Sequence, residues 1–367
     1  MKFTIIGNYG ASNVGDELIL EGLLSTIRKN SPETEVVVLS ANPSQTREKF
    51  EVQSVQKFPA GIRSLCKYTL NGSFKKTKKQ VKSSDFVIIG GGGLFDDSSF
   101  KAIWIWAVQT YMAHFLKKKI IMYGQSIKEP KSALTKRIIR KLFKISSFIA
   151  VRDEDSKKVI KSLIRGKKVH LMPDLVFKLE PKFKQAKENK ITLCLRDQTG
   201  KPSDFDQKLA KFLNFLLQEE KKLELDFLPF KKELDEKYHE QIIEKIAEKS
   251  RVKTQDYTEK RHKIEELFSE SKLIFGVRLH SILMAINTET PFIAINYNPK
   301  VRNLLRTLDM EQFVIEPTEL DSKKFLDLYK YTQENEEKIT HKLKNTKNNQ
   351  ALKHELIEKS LNKFIIH

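Results

Sequence analysis

The chain opens with a short apolar run, a glycine-rich turn and a stretch with helical apolar periodicity. Residues 2–6 (KFTII) predict a strand, residues 7–17 (GNYGASNVGDE) a turn, and residues 18–27 (LILEGLLSTI) a helix. Such a strand–turn–helix unit is typical of open α/β sheets, which bind ligands at the carboxyl ends of their strands. The N-terminal half is therefore predicted to be an α/β domain with a ligand-binding edge.

The glycine spacing of this turn differs from a dinucleotide fingerprint. It reads G-x-x-G-x-x-x-x-G rather than G-x-G-x-x-G. Asp16 and Glu17 fall in the first helical turn, where the helix dipole favours carboxylates and where a phosphate would otherwise bind. We therefore expect the turn to bind a polar, hydroxyl-rich substrate through Asn8, Tyr9 and Asn13 as well as Asp16. The alternative is a tight turn with an acidic cap.

Buried-type apolar runs recur along the chain in two series. The first comprises residues 36–40, 86–90, 120–124, 148–151 and 171–176, and the second residues 191–195, 223–228, 273–276 and 291–295. A lysine-rich segment without apolar periodicity, residues 178–190, separates them. We predict an α/β fold of two doubly wound Rossmann-like domains facing a cleft, residues 1–180 and 190–320, followed by a helical tail, residues 321–367.

The composition favours a soluble two-domain protein. The 367 residues are 40% apolar, and no stretch reaches the roughly 18 apolar residues that a membrane span needs. The N-terminal apolar run is too short for a signal peptide. Cys66 and Cys194 lie too far apart for metal-ligand spacing. We expect a cytoplasmic protein without structural disulfides and without a metal site.

The formal net charge of +20 indicates either an anionic partner or a lysine-rich solvated surface. Nucleic acid, an anionic membrane and an anionic substrate are the candidate partners. Basic residues cluster at 75–79, 117–119 and 128–144, and the last segment has the pattern of a basic amphipathic helix, which can lie on anionic lipid. Aromatic interleaving of the kind that stacks bases is missing from these runs, so no nucleic acid is expected.

A second glycine element follows the predicted strand of residues 86–90. Residues 90–93 are four consecutive glycines. Two apolar residues follow them, and Asp96 and Asp97 come next. Glycine permits positive φ and a close approach of the backbone to a ligand. We expect a second hydroxyl-binding loop here, with Gly91, Gly92 and Asp96 at the acceptor. A plain turn is the alternative.

Basic residues follow strand ends in the second series. Arg278 and His280 alternate around Leu279, and Lys300 follows the strand of residues 291–295. Histidine titrates near neutrality and moves protons, and arginine binds phosphate and carboxylate. A structural histidine at a helix start is the alternative. Arg152 follows a strand of the first series, where a surface ion pair is the alternative. The pattern predicts an anionic donor on the second domain and a neutral polyhydroxyl acceptor on the first.

Several short motifs together resemble the polysaccharide pyruvyl transferase family, over the chain from Met1 to about Asp309. They are GNYGASNVGDE, GGGGLFDD, GQS at 124–126, VRDEDS, PD at 173–174, LRD at 195–197, GVRLHS and YNPKV. The resemblance implies a glycosyltransferase-B-like pair of domains that transfers pyruvate from phosphoenolpyruvate to a sugar diol as a cyclic ketal. It also associates Arg152, His280 and Lys300 with the donor. Ser126 and Lys128 stand where the family often has glycines, which leaves the acceptor specificity open.

We therefore predict a ketal-forming pyruvyl transferase of cell-wall or cell-surface polysaccharide biosynthesis. The predicted catalytic residues are His280, as general acid/base, Arg152 and Lys300. The predicted donor-binding residues are Arg278, Ser281 and Asn298. The predicted acceptor-binding residues are Asn8, Tyr9, Asn13, Asp16, Gly91, Gly92, Asp96 and Gln125. No cofactor is expected besides phosphoenolpyruvate as the donor substrate.

Two other functions fit the same sequence. One is a glycosyltransferase of the same two-domain frame that uses a nucleotide sugar, and the other is a non-catalytic glycan-binding or nucleic-acid-binding protein. The expected partners are phosphoenolpyruvate, a sugar or lipid-linked glycan and, at the inner face of the cytoplasmic membrane, an anionic lipid surface. The acceptor sugar, the hydroxyls that form the ketal and the oligomeric state are left open.

Overall fold

A computed structural model describes residues 1–30, 33–95, 100–181, 188–197, 201–256, 261–319 and 322–366. The chain forms two compact units. The N-terminal unit consists of Met1–Leu179 together with Gln350–His367, and the C-terminal unit consists of Glu180–Asn349. None of the described helices is long and apolar enough to cross a lipid bilayer.

The N-terminal unit is built on a seven-stranded parallel sheet of order β3-β2-β1-β4-β5-β6-β7. Its strands are β1 (Lys2–Ile6), β2 (Glu35–Ser40), β3 (Gln53–Gln56), β4 (Phe86–Gly92), β5 (Lys119–Gln125), β6 (Phe148–Val151) and β7 (His170–Leu171). Its helices include α1 (Val14–Asn30), α2 (Pro43–Phe50), α3 (Ile62–Leu70), α4 (Ser73–Ser83), α5 (Phe100–Phe115), α6 (Ala133–Ile145) and α7 (Glu154–Leu163).

Both faces of this sheet are covered, because successive residues of its central strands enter two different apolar clusters. Ile6 and Ile89 belong to one cluster, whereas their neighbours Ile5 and Ile88 belong to the other. Alternate side chains of a strand point to opposite faces, and strands buried on both faces are apolar throughout. This explains why the central strands of the sequence are continuous apolar runs.

The C-terminal unit repeats the plan with six parallel strands in the order β10-β9-β8-β11-β12-β13. Its strands are β8 (Glu188–Cys194), β9 (Glu224–Phe227), β10 (Val252–Thr254), β11 (Ser271–Gly276), β12 (Phe292–Ile295) and β13 (Val314–Ile315). The helices that follow the first seven are α8 (Phe205–Glu219), α9 (Lys232–Ile243), α10 (Arg261–Glu270), α11 (Leu279–Asn287), α12 (Pro299–Thr307), α13 (Ser322–Glu334) and α14 (Glu336–Ile366).

Each sheet has a point where the strand order reverses. The first strand of each series, β1 or β8, lies between its second and its fourth, so that β1 pairs with β2 and β4, and β8 pairs with β9 and β11. Doubly wound sheets bind ligands beyond the carboxyl ends of the strands at such a switch point. The predicted class, two doubly wound parallel sheets, is confirmed.

One predicted strand of the first series is wrong. Residues 171–176 do not form a strand beyond Leu171, because Pro173 lacks the N–H that a ladder needs and Leu175–Lys178 form a short 3₁₀ turn. The Asp174 side chain caps this turn by accepting from Val176 N at 3.0 Å. The predicted linker, residues 178–190, overlaps β8 at its end, and its residues 182–187 lie outside the described part of the chain.

The predicted helical tail is helical, but it is not a separate segment. Phe325 and Tyr329 of α13 lie in the apolar core of the C-terminal unit, and the Phe325 ring stacks on Phe212 with 4.7 Å between centroids. The last part of α14 returns to the N-terminal unit, where Ile357 and Leu361 join its core. The tail therefore completes both units.

Candidate functional site

The turn after β1 packs tightly on the end of β4. A Cβ atom on Gly7 would lie 2.6 Å from the carbonyl oxygen of Gly90, so this position accepts only glycine without a backbone shift. The ring of Tyr9 is fully buried, and its hydroxyl donates to Gly90 O at 3.1 Å. Tyr9 therefore supports the glycine loop from within the core, and its role in acceptor binding stays a prediction.

Backbone conformation accounts for most of the second glycine element. Gly91 and Gly92 adopt φ angles of 98° and 63°, which side-chain-bearing residues rarely adopt. A Cβ on Gly90 would lie 3.1 Å from the Tyr9 hydroxyl oxygen. The run of glycines thus has a structural cause. Gly91 and Gly92 are buried at the end of β4, and their role in acceptor binding stays a prediction. Asp96, the third predicted residue here, lies outside the described residues.

The polar side chains of the first turn hold one another and the backbone in place. Asn8 donates to the Asp16 carboxylate at 2.8 Å, Glu17 accepts from Gly10 N at 2.9 Å, and Asn13 accepts from Gly15 N at 3.1 Å. Burial raises the pKa of Glu17 against the opposing influence of Lys49 and Lys57. The loop is thus an organised, acid-rich surface at the switch point of the N-terminal sheet.

Gln125 brings one further polar group to the neighbouring strand end. It is fully buried at the end of β5, and its Nε2 donates to Ile89 O at 2.8 Å. Its Oε1 has no hydrogen-bond partner among the described residues. A buried unpaired carbonyl is costly, so this atom is the group in the N-terminal site that gains most from a hydroxyl donor.

Arg152, predicted to be catalytic, is part of a buried ion pair in the N-terminal unit. Its Nη1 lies 2.6 Å from Asp174 Oδ2, and the two side chains are 8% and 1% exposed. The backbone of Asp174 is held in turn by His354 of α14, whose Nε2 hydrogen-bonds to the Asp174 carbonyl oxygen at 2.9 Å. The alternative interpretation of Arg152, a surface ion pair, is therefore wrong, because the ion pair that it forms is buried.

Arg278 is the corresponding arginine of the C-terminal unit and is held more completely. Its Nε and Nη2 donate to the two carboxylate oxygens of Asp235 at 2.7 and 2.5 Å. Asp235 also accepts from the backbone N–H groups of Phe230 and Lys231 at 3.0 and 2.8 Å. This bidentate pair fixes the plane of the guanidinium at the carboxyl end of β11.

His280 and Ser281 lie in the first turn of α11, directly after Arg278. The Nε2 atom of His280 is shielded from solvent. Ser281 is fully buried, and its hydroxyl donates to Arg278 O at 2.6 Å. Burial raises the pKa of the Cys194 thiol, which hydrogen-bonds to Ser281. Ser281 thus closes the helix start, and its contact with the donor stays a prediction.

Lys300 and Asn298 occupy the next strand end. Asn298 is the N-cap of α12, and its Oδ1 accepts from Lys300 N at 3.1 Å. Because β11 and β12 are adjacent and parallel, the N-termini of α11 and α12 start from the same edge of the sheet. Helix N-termini carry partial positive charge and favour anions. This edge therefore combines two helix N-termini with Arg278, His280 and Lys300.

Sequence reasoning missed three residues of this edge. Asp235, which orients Arg278, lies in α9 and has no motif of its own. Arg196, in the LRD motif at the end of β8, places its guanidinium 4.9 Å from the centroid of the Tyr297 ring, an arrangement that a cation–π attraction stabilises. The third residue is Tyr297 itself. Arg196 follows β8 and Tyr297 follows β12, which are the strands on either side of β11, and this position is the signal that could have identified the two residues.

Neither unit offers a metal centre in its described residues, where no group of three or more His, Cys, Asp or Glu could hold a metal ion. The prediction that no metal binds stays a prediction. The Asp16 and Glu17 loop of the N-terminal unit is the most acidic of the predicted sites, and its oxygens are bonded to Asn8 and Gly10.

Comparison with known proteins gives a family and a fold. The family model for polysaccharide pyruvyl transferase matches residues 13–299. No curated protein matches the chain in sequence. Among solved structures, HepE from Anabaena in complex with UDP-glucose has 12% identity and a TM-score of 0.61, with 99% of this chain and 100% of HepE covered.

Two further solved structures have the same fold. UDP-GlcNAc 2-epimerase from Neisseria meningitidis bound to UDP-GlcNAc has 14% identity and a TM-score of 0.62, with 99% of this chain and 100% of the epimerase covered. Heptosyltransferase WaaC from E. coli with ADP has 12% identity and a TM-score of 0.50, with 93% and 100% covered. The fold is therefore glycosyltransferase-B-like.

Proposed function

Because the chain belongs to the polysaccharide pyruvyl transferase family, we propose that it transfers pyruvate from phosphoenolpyruvate to a sugar diol and forms a cyclic ketal. The observation that carries this proposal is the edge of the C-terminal sheet, where two helix N-termini meet Arg278, His280 and Lys300. Such an edge suits a small donor with a phosphate and a carboxylate, since arginine and helix N-termini bind both groups.

The reaction requires one proton transfer to carbon and two attacks by oxygen. A proton is added to C3 of phosphoenolpyruvate, and a sugar hydroxyl forms a bond to the cationic C2 that results. A second hydroxyl of the same sugar then attacks C2, the C–O bond to phosphate breaks, and inorganic phosphate leaves. Of the two hydroxyl protons, one replaces the proton that was given to C3 and the other leaves with the phosphate. The products are the ketal and one phosphate, with no oxidant or reductant needed.

We assign the proton transfer to His280. An imidazole titrates near neutrality and can both give and take a proton, and its Nε2 is shielded from water. Lys300 and Arg278 neutralise the phosphate and carboxylate, and they stabilise the charge of the departing phosphate. Asn298 positions Lys300 by capping α12. We add Arg196 to the donor residues, because it follows the neighbouring strand β8.

We assign the acceptor to the switch point of the N-terminal sheet. Asn8, Asn13 and Asp16 present organised polar groups there, and Gln125 Oε1 offers a buried acceptor atom for a hydroxyl donor. Arg152 is retained as a predicted catalytic residue on the family resemblance. Its ion pair with Asp174 uses only part of the guanidinium, which carries five N–H donors, and we propose that other donors of this group bind the substrate.

A nucleotide-sugar glycosyltransferase is the second candidate function. The observation in its favour is that the similar structures HepE, the epimerase and WaaC are described with UDP-glucose, UDP-GlcNAc and ADP. The basic edge would then hold a diphosphate. A non-catalytic binding protein is the third; it predicts salt-sensitive retention on DNA or glycan without turnover.

One experiment separates these functions. The purified protein is incubated with phosphoenolpyruvate and a panel of soluble and lipid-linked glycans, or with UDP-sugars and the same panel. We expect release of inorganic phosphate and, by mass spectrometry, a glycan heavier by one pyruvate ketal. Release of UDP with glycan extension would instead establish the glycosyltransferase, and turnover of neither donor would favour binding alone.

We also propose a cytoplasmic location, with attachment to the inner face of the cytoplasmic membrane where lipid-linked glycans are made. The predicted attachment through residues 131–144 is restricted by the structure of α6. Ile139, Leu142 and Phe143 pack into the core of the N-terminal unit, so their apolar surface is not available to lipid. The basic side chains on the outer face of α6, together with Leu134, which is 56% exposed, are left for contact with a membrane.

A further inference from the structure

Helix α3 of the N-terminal unit turns its apolar side outward. Ile62, Leu65 and Leu70 are 83%, 46% and 89% exposed, and no residue of the helix is buried. The residues that are partly covered are Ser64 and Tyr68. A surface helix normally packs its apolar stripe on the core, so this reversed orientation has no explanation within the described chain.

Two aromatic side chains extend the apolar surface of α3. Phe100 and Trp104 of α5 are 50% and 47% exposed, and their rings stack with 6.5 Å between centroids. The Trp104 Nε1 donates to Ala60 O at 3.0 Å, one residue before the N-cap Gly61 of α3. This bond fixes the indole beside the start of α3, with its polar atom satisfied and its apolar ring in solvent.

The same surface is strongly basic. Residues 52–84 contain no aspartate or glutamate and eight basic residues, which are Lys57, Arg63, Lys67, Lys75, Lys76, Lys78, Lys79 and Lys82. Helix α4 packs beside α3 and carries Lys75, Lys76, Lys78 and Lys79 in exposed positions. The exposed apolar side chains of α3 therefore lie within a segment, residues 52–84, whose charged residues are all basic.

We propose that Ile62, Leu65, Leu70, Phe100 and Trp104 form a docking face that inserts into the interfacial layer of an anionic bilayer, with the lysines of α4 bound to lipid phosphates. A bilayer takes both components, because exposed leucine, isoleucine and aromatic side chains enter the acyl boundary while lysines bind anionic headgroups. A nucleic acid would use the lysines but not the aliphatic side chains. An exposed apolar patch of this kind marks an interaction site.

The docking face differs from α6 in a way that a vesicle experiment can measure. In α6, Ile139, Leu142 and Phe143 are buried in the core and Leu134 is the one large apolar side chain that is exposed. The docking face instead exposes five large apolar side chains beside its lysines. The inference deepens the membrane attachment proposed above, but its tests involve no turnover. Failure of docking and failure of pyruvyl transfer are therefore separate results.

The first test is co-sedimentation of the full chain with vesicles of phosphatidylcholine, with or without phosphatidylglycerol in equal parts. We expect binding to the anionic vesicles only. The double variant Ile62→Glu/Leu70→Glu should lose about tenfold or more in partitioning. The matched control is Leu352→Glu/Leu356→Glu, whose parent side chains are 60% and 64% exposed on α14, and it should bind like the wild type. Equal loss in both variants, or no loss in the first, overturns the proposal.

The second test compares two sets of four basic residues. Replacement of Lys75, Lys76, Lys78 and Lys79 by glutamine should weaken vesicle binding at least tenfold at low salt, since each basic residue near an anionic surface contributes about 1 kcal/mol. Replacement of Lys136, Arg137, Arg140 and Lys141 of α6 should have a smaller effect. The reverse order would place the attachment on α6 and overturn the docking face.

The third test uses a cysteine already present. Cys66 of α3 is exposed and Cys194 is buried, so a polarity-sensitive dye attaches at Cys66. We expect a blue shift and protection from an aqueous quencher on addition of anionic vesicles, with Cys66→Ser as the unlabelled control. An unchanged spectrum with vesicles, or a shift induced by polyglutamate instead, means that the face binds an acidic polypeptide or nothing, and overturns the proposal.

Discussion

Both units place an arginine directly after a strand and bury it against an aspartate, but the two pairs are built differently. In the N-terminal unit, Arg152 makes one bond to Asp174, at 2.6 Å, and the second oxygen of Asp174 caps a 3₁₀ turn. In the C-terminal unit, Arg278 makes two bonds to Asp235. Asp235 also receives two backbone N–H groups.

The difference shows that the aspartate with which such an arginine pairs determines which N–H groups of the guanidinium are used and which element the arginine is fixed to. Asp174 belongs to a segment that α14 covers through His354, so Arg152 joins pieces of the fold. Asp235 holds Arg278 by one edge, and the Nη1 edge of its guanidinium takes no part in that pair. The second arrangement suits an anion, and it lies in the unit that also carries His280 and Lys300.

The largest expected effect is on turnover in the C-terminal unit. His280→Ala and Lys300→Ala should each lower the rate of phosphate release from phosphoenolpyruvate by about 10² or more, because proton transfer and charge neutralisation are lost. The controls are His341→Ala and Lys330→Ala, in exposed positions of α14 and α13. A near-wild-type rate for either variant, with intact circular dichroism, would falsify the role of that residue.

The two ion pairs should differ in which unit they destabilise. Asp174→Ala and Asp235→Ala each leave a buried guanidinium without its partner, which costs about 3–5 kcal/mol. Both tryptophans, Trp104 and Trp106, lie in the N-terminal unit. Tryptophan fluorescence in urea should therefore shift for Asp174→Ala, whereas for Asp235→Ala the shift should be seen by circular dichroism. Identical responses by both probes would mean that the units unfold together.

Each unit also buries one neutral histidine, which predicts loss of stability in acid. Burial lowers the pKa of His354 in the N-terminal unit and of His239 in the C-terminal unit to about 4. The unfolded chain, with a histidine pKa of about 6.5, binds the proton first. The free energy of unfolding is therefore unaffected above pH 6.5, and falls as the pH drops from about 6.5 towards 4, by up to about 1.4 kcal/mol per pH unit for each histidine.

Single variants show which unit loses stability in acid. His354→Gln should flatten the pH dependence of the fluorescence-detected transition, and His239→Gln that of the transition seen only by circular dichroism. Urea titrations at pH 7 and pH 5 suffice. The assignment would be contradicted by a variant whose stability falls as steeply as that of the wild type.

The smallest expected effect is that of metal removal. We expect EDTA to leave transfer unchanged, since Arg278 and Lys300 neutralise the donor and the acidic loop of Asp16 and Glu17 is tied to Asn8 and Gly10. The measurement is phosphate release before and after chelation. Loss of activity that magnesium restores would indicate that the acidic loop of the N-terminal unit binds a metal. The charge of the donor would then be neutralised by the N-terminal unit and not by the C-terminal unit.

The central strands could be predicted from the sequence because each is a continuous apolar run. The edge strands could not, since β3 reads QSVQ and β10 reads VKT, which have no pattern of their own and are strands only through pairing. The same limit applies to the site. His280 and Lys300 follow apolar strands and are visible in the sequence, whereas Asp235 acquires its role only when the fold brings α9 to Arg278.

Helix α14 has a consequence for the order in which the chain is completed during synthesis. Residues 180–349 form the C-terminal unit, but the N-terminal unit includes residues 350–367. Ile357 and Leu361 fill its core, and Glu358 pairs with Lys178 at 2.8 Å. Domains usually fold in the order in which they leave the ribosome. Here the unit that begins first is finished last, because residues 350–367 must be made before α14 can pack on α1, which it contacts through Thr26 and Glu358. Until residues 350–367 are made, the apolar surface of α1 that receives α14 is open to chaperones.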